Sequence, residues 1–314
     1  MLDDMPVWID GEIRPESEVH IPLTSSAHLF GYNVFDLLRT VHHEPFDVAN
    51  HVDRFRRSCR GAGITLEPDD DGLRQRIDTV ADATAADLPA ETDFLITMLA
   101  SADEPRLLVF PREIHFANNA AHYLEGCSLA TSPVRQPPPA TLPPQLKHCA
   151  RLHHRLAGQR AGSGSHDTLT LLLDHQGRVA EATGANIFAV RDGELVTPPT
   201  DHILPGTARK RTIAVAEADD VPVHERHIQL HDLAHADEIF FTNTSHLLAP
   251  IVEVDGVPVA DGRPGPLTEH VLDLHSDAAG IDIVEQYVRH LPSEEQPAHA
   301  RLGGDAGVRD HGGT

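Results

Sequence analysis

Apolar positions along the chain change period several times, and each change marks an element. Val7-Trp8-Ile9, then Asp10-Gly11, then Glu12-Ile13 predict a strand, a tight turn and a second strand. Over residues 51–60, Val52, Phe55 and Cys59 recur at helical spacing, and Gly61 and Gly63 can end the helix. Another helix is expected from Asp69-Asp70-Asp71, whose acids suit the positive end of a helix dipole. Leu73, Ile77 and Val80 form its apolar face. Residues 94–99 and 107–110 are apolar runs around a polar turn and predict two strands. The first half therefore mixes helix and strand.

One segment breaks the pattern. Pro133, Pro137, Pro138, Pro139, Pro143 and Pro144 make residues 132–145 extended and stiff. A linker over 132–146 would join an N-terminal α/β domain (1–131) to a C-terminal domain (147–291). The second half predicts a helix from Lys147 to about Ala161, a buried strand over 168–173 and a turn at His175-Gln176-Gly177. A strand from Arg178 and a hairpin of 187–190 with 194–197 follow. Leu204-Pro205-Gly206 opens an apolar helix over 207–218. Strands near 221–223, 238–242 and 251–254 precede a closing helix over 267–279. Residues 292–314 are polar and Gly-rich and are expected as a disordered tail. The fold class is α+β: two mixed α/β domains joined by a proline-rich linker.

Charge narrows the function. A formal charge of −23 over 314 residues disfavours nucleic acid and anionic membrane surfaces as partners. No apolar run of about 18 residues predicts a membrane span. Met1-Leu2-Asp3-Asp4 lacks the start of a secretory signal, and Cys59, Cys127 and Cys149 form no CxxC. A reducing, cytoplasmic location is expected. The 23 histidines are scattered; His42-His43, His148 and His153-His154 lack the helical zinc-hydrolase pattern, so no metal site is expected.

Lysine is nearly absent: Lys147 and Lys210 are the two lysines among 25 basic residues. Arginine stays protonated, whereas a desolvated lysine can lose its proton and act as a nucleophile. Either lysine alone could be a chance remnant. Lys147, however, precedes two further features. In Glu181-Ala182-Thr183-Gly184-Ala185-Asn186-Ile187-Phe188, a carboxylate ends a strand before a small-residue turn. In Leu204-Pro205-Gly206-Thr207-Ala208-Arg209, a Gly-bearing turn opens a helix whose free N–H groups form an anion site.

In this order the three features resemble the class IV, or fold-type IV, family of pyridoxal-phosphate-dependent enzymes, which includes branched-chain and D-amino-acid aminotransferases. The resemblance runs over residues 7–280. It is also carried by Leu29-Phe30-Gly31-Tyr32-Asn33-Val34-Phe35-Asp36, by His51-Val52-Asp53-Arg54 and by Thr242-Asn243-Thr244-Ser245. It implies that Lys147 holds pyridoxal 5′-phosphate as a Schiff base and then carries the proton. Glu181 would face the pyridine nitrogen and keep it protonated. Gly206, Thr207 and Ala208 would bind phosphate through backbone N–H groups, helped by Thr244, Ser245 and Arg54, with Asn186 in the same cofactor-binding set. Arg54 could otherwise be a surface arginine on a short helix. Lys210 is expected to face solvent. Tyr32, Phe35 and Arg39 would line the substrate pocket, with core packing for Phe35 and a structural ion pair for Arg39 as equal alternatives. A homodimer acting on a small amino donor and a keto acid is implied.

Several positions depart from the family. Ala208 stands where many relatives carry threonine, and Asp36 where glutamate is usual. The Asn-Tyr that follows the lysine in many branched-chain enzymes is absent, and 94–98 lacks their Tyr-x-Arg. Asn243 is reminiscent of the aminodeoxychorismate lyases. Transamination is the expected reaction. A lyase on the same scaffold and a non-catalytic binding module are the alternatives, and substrate and stereochemistry do not carry over.

Overall fold

The computed structural model describes residues 4–163 and 166–296; most of the expected tail, from 297 onward, lies outside the described residues. The first half is a six-stranded sheet of β1 (Pro6–Ile9), β2 (Glu12–Pro15), β3 (Asn33–Val41), β4 (Glu44–Pro45), β5 (Phe94–Ser101) and β6 (Leu107–Glu113), ordered β2-β1-β6-β5-β3-β4. Asp10 and Gly11 close the first hairpin with φ of 52° and 95°, the left-handed pair that a two-residue turn requires. Helix α1 (Ser26–Phe30) precedes β3. Helices α2 (Val48–Gly61) and α3 (Asp70–Ala85) cover one face of the sheet. The Asp69 side chain caps α3 by accepting from Gly72 N at 2.8 Å.

Alternation along β3 and β5 sorts side chains between two cores. Val34, Leu38, Phe94, Ile96 and Met98 pack with Val52, Phe55, Leu73 and Ile77 beneath the helices. Leu37 and Leu95 face the opposite way, into the core of the second half. A strand buried on both faces reads as a continuous apolar run, as β5 does.

The second half contains α4 (Phe116–Leu124), β7 (Cys127–Arg135), α5 (Leu152–Ala161), β8 (Thr168–Leu173), β9 (Val179–Ala182), β10 (Asn186–Arg191), β11 (Glu194–Thr197) and α6 (Thr207–Ala218). It continues with β12 (Val223–Glu225), α7 (Leu230–Ala234), β13 (Glu238–Asn243), β14 (Leu247–Val254), β15 (Val257–Pro258), α8 (Pro266–Ala279) and α9 (Ile283–Val288). Its nine-stranded sheet runs β12-β11-β10-β13-β14-β7-β8-β9, with β15 on β14. The expected α+β architecture with two mixed halves is present. Among the described residues, no helix is long and apolar enough to cross a membrane.

Two local expectations differ from the structure. Strand β7 runs through the first positions of the expected linker and pairs in parallel with β8 and β14. The chain therefore joins the larger sheet at Cys127. The β7–β8 register shifts between Thr131 and Arg135, around Pro133, which has no N–H to donate. Lys147 lies outside a helix. Its C=O accepts from Phe35 N at 2.9 Å, and Cys149 N donates to Asn33 O at 3.2 Å. Val34 and His148 thus form an antiparallel bridge, and α5 starts only at Leu152.

Candidate active site

Lys147 sits where the two halves meet, and residues of the first half hold its backbone. Its N–H donates to Ser58 Oγ at 3.1 Å from α2, while its C=O is held by β3. The side chain is partly buried, with Nζ 4.8 Å from the centre of the Phe35 ring. Arg151 approaches the same ring, its guanidinium carbon 5.1 Å from the centre. Burial, then the like charges of Arg54 and Arg151, pull the Lys147 amine down to about 7. Much of it is therefore neutral near neutral pH.

Glu181 is the penultimate residue of β9 and is 7% exposed. Burial pushes its carboxyl up to about 7, against the hydrogen bond from Leu204 N (3.0 Å) and the charges of Arg151 and Lys147. Gln136 Nε2 donates to the other carboxylate oxygen at 3.1 Å. Asn186 Nδ2 spans the turn, reaching Leu204 O at 3.0 Å and Glu181 Oε2 at 3.3 Å. Gly206 is required by this close approach: a Cβ there would lie 2.1 Å from Asn186 Oδ1.

Helix α6 starts after Gly206, so its first-turn N–H groups are free of intrahelical partners. Arg54 faces this turn from α2, with Nη1 3.4 Å from Pro205 O. Its other edge is clamped by Asp36 through Nε at 2.7 Å and Nη2 at 2.8 Å. His51 Nδ1 lies 2.8 Å from the same carboxylate. Burial raises the Asp36 carboxyl, but the charge and hydrogen bonds of Arg54, with those of His51, hold it well below its ordinary value. The departure at Asp36 is thus a buried anchor for Arg54.

Arg54, Lys147, Glu181, Asn186, Gly206, Thr207, Ala208 and Thr244 line one cleft. Sequence reasoning missed Arg151 and His154 on its wall and gave no role to Thr242, which it quoted only as part of a motif. The clustering of His148, Arg151, His153 and His154 just after Lys147 was the available signal. Thr242 Oγ1 is buried without a hydrogen-bond partner among the described residues, and the Thr244 hydroxyl donates to Leu37 O at 3.2 Å.

Four expected residues lie off the wall. Ser245 instead uses its C=O to accept from Arg39 Nη1 (2.8 Å) and from the Tyr287 hydroxyl (2.5 Å). Arg39 is 1% exposed and also donates to Gln286 Oε1 at 2.5 Å, so its place is structural rather than substrate-facing. Tyr32 is exposed and donates to Ala62 O at 2.7 Å; Phe35 lies beneath Lys147. Lys210 is exposed on α6 and donates to Asn50 Oδ1 at 2.6 Å.

Residues 33–254 match the family model for class IV amino-transferases, and the chain belongs to that family. The enzymes of this class use pyridoxal 5′-phosphate. The chain is similar to a probable branched-chain-amino-acid aminotransferase of Thermotoga maritima, 27% identical over 270 residues, covering 86% of this chain and 94% of that one. It is also 26% identical over 277 residues to a D-alanine aminotransferase of Listeria innocua, covering 84% and 92%. Among solved structures, the branched-chain aminotransferase of the archaeon Thermoproteus uzoniensis with norvaline superposes with a TM-score of 0.79 at 25% identity, covering 91% of this chain and 97% of that one.

Proposed function

We infer that the cleft moves an amino group from an amino acid or amine to a 2-keto acid, with Lys147 as the cofactor-holding and proton-carrying group. One observation carries this reading. The near-neutral Lys147 amine, the buried Glu181 carboxylate and the free N–H groups of α6 converge on one cleft from three separate stretches of chain. The residues fit pyridoxal 5′-phosphate. A carboxylate whose charge burial opposes is well matched to a protonated ring nitrogen. The unpartnered Thr242 hydroxyl, the Thr244 hydroxyl, Arg54 Nη1 and the start of α6 suit a phosphate.

When bound, the cofactor supplies a carbonyl carbon that accepts the amino group and a ring that delocalises an electron pair. Lys147 would carry the proton from the substrate α-carbon to the cofactor carbon on the far side of the shared nitrogen, which needs a neutral amine. Glu181, held by Leu204 N, Gln136 and Asn186, keeps a proton at the ring nitrogen. Arg54 is held in place by Asp36. Arg151 lines the cleft, and its Nη atoms have no hydrogen bond among the described residues; it takes the substrate carboxylate. A homodimer belongs to this reading, supported by the exposed apolar side chains Leu23, Phe30 and Leu152.

The lyase reading has Asn243 on the cleft wall in its favour. Incubating the cofactor-loaded protein with amino donors, among them branched-chain amino acids and both alanine enantiomers, separates the two. Transamination predicts a visible absorbance change with a productive donor and sustained turnover only when a 2-keto acid is added. Sustained turnover of aminodeoxychorismate to pyruvate without an acceptor replaces it by the lyase. No absorbance change with any donor, together with no pyruvate from aminodeoxychorismate, rejects both.

A further inference from the structure

Outside the cleft, α4 and the residues just before β8 bring three metal-ligating side chains together. The ligand atoms of His122, His166 and Asp167 all lie within 4.8 Å of one another. His122 Nε2 is 3.3 Å, and His166 Nδ1 3.8 Å, from Asp167 Oδ1. The ring of His122 is 3% exposed, yet its Nε2 has no hydrogen-bond partner among the described residues.

A chain of contacts decides where the protons sit. Asn243 Oδ1 accepts from His246 N at 2.8 Å, so that atom is the amide oxygen. It also lies 3.3 Å from His246 Nδ1, which must then carry a hydrogen. His246 Nε2 is left with a lone pair and accepts from His122 Nδ1 at 3.0 Å. That leaves His122 Nε2 3.3 Å from a carboxylate oxygen but with no hydrogen bond between them. A metal ion bound to both atoms would satisfy them.

We propose that His122 Nε2, His166 Nδ1 and Asp167 Oδ1 form a binding site for a divalent transition-metal ion, with zinc as the best match. Zinc holds imidazole and carboxylate ligands at roughly 2.0–2.1 Å, which places tetrahedral ligand atoms about 3.3–3.4 Å apart. The His122–Asp167 pair has this separation; the two pairs that involve His166, 3.8 Å to Asp167 and within 4.8 Å to His122, are set by the rotation of that exposed side chain. Two imidazoles and one carboxylate favour zinc over magnesium or calcium. The exposed side leaves the fourth position to water. His246 supplies the outer-shell acceptor that fixes the tautomer of a ligating histidine. The bound ion fixes both rings and Asn243 with them, and Asn243 lines the cleft.

The test strips the cofactor-loaded protein with a chelator, removes the chelator and titrates zinc ion by calorimetry. His166→Ala and Asp167→Asn alter exposed positions, so the fold is kept. His224→Ala, in an exposed pair with Glu194, is the control for scattered histidines. One tight equivalent is expected in the wild type and in the control. Each ligand variant should weaken it at least about 100-fold, since loss of an outer-shell partner alone costs 10–100-fold. Absence of a tight equivalent in the wild type overturns the proposal. So does an equivalent that survives in both ligand variants.

Discussion

Replacing Asp36 by asparagine removes one negative charge from a fully buried ion cluster and changes little in shape. Asp36 is 0% exposed, Arg54 3% and His51 4%. The wild-type carboxylate receives both Nε and Nη2 of Arg54 at 2.7 and 2.8 Å. Asparagine leaves that guanidinium buried with one neutral acceptor in place of an ion partner. Losing one partner of a buried pair costs about 3–5 kcal/mol, and the hydrogen-bonding amide should place Asp36→Asn near the lower end. Urea unfolding of the cofactor-free protein measures this without the stabilisation that a bound ligand adds. The double variant Asp36→Asn/Arg54→Met removes both charges. It should fall short of additivity by about 2 kcal/mol or more, because the second change removes the stranded cation. The pH dependence has a definite sign. The folded-state value of Asp36 is depressed, so its contribution is complete above the ordinary value of 3.8 and shrinks as pH falls below it. The gap between wild type and variant should therefore be full at pH 6–7 and narrow in acid. A loss below about 1 kcal/mol at neutral pH, or strict additivity in the double variant, would refute the argument that Asp36 anchors Arg54.

Two further changes probe the cleft. Gly206→Ala places a Cβ against Asn186 Oδ1, whose side chain is buried and doubly hydrogen-bonded, and should cost about 1–3 kcal/mol of overpacking. Cofactor retention after dialysis should fall with it; unchanged stability and retention would mean that the turn yields freely. Arg151→Met removes one of the two like charges that depress Lys147, so the amine should rise from about 7. The midpoint of the pH dependence of cofactor uptake should move upward, and a stationary midpoint would detach Arg151 from Lys147.

Much of the fold was legible because local patterns agreed with the final packing. The Asp10-Gly11 hairpin and helix 207–218 stand where their residues placed them. The nine-residue strand β3 was not assigned, because its residues serve two cores at once. The helix expected from Lys147 gave way to an extended segment, because its backbone groups bond to Asn33 and Phe35, far away in the sequence.

The chain alone determined which residues were chemically able to act: a rare lysine, a carboxylate before a small-residue turn, and a glycine opening a helix. These are local properties of residue type and spacing. Tertiary structure decided how they are tuned and which neighbours matter. The Lys147 amine is near neutral because burial, Arg54 and Arg151 converge on it. Arg39 was assigned to structure by Ser245 and Gln286, and Arg151 to the cleft by the turn ahead of α5. Charge–charge energies depend on separation and burial, and neither follows from order along a chain.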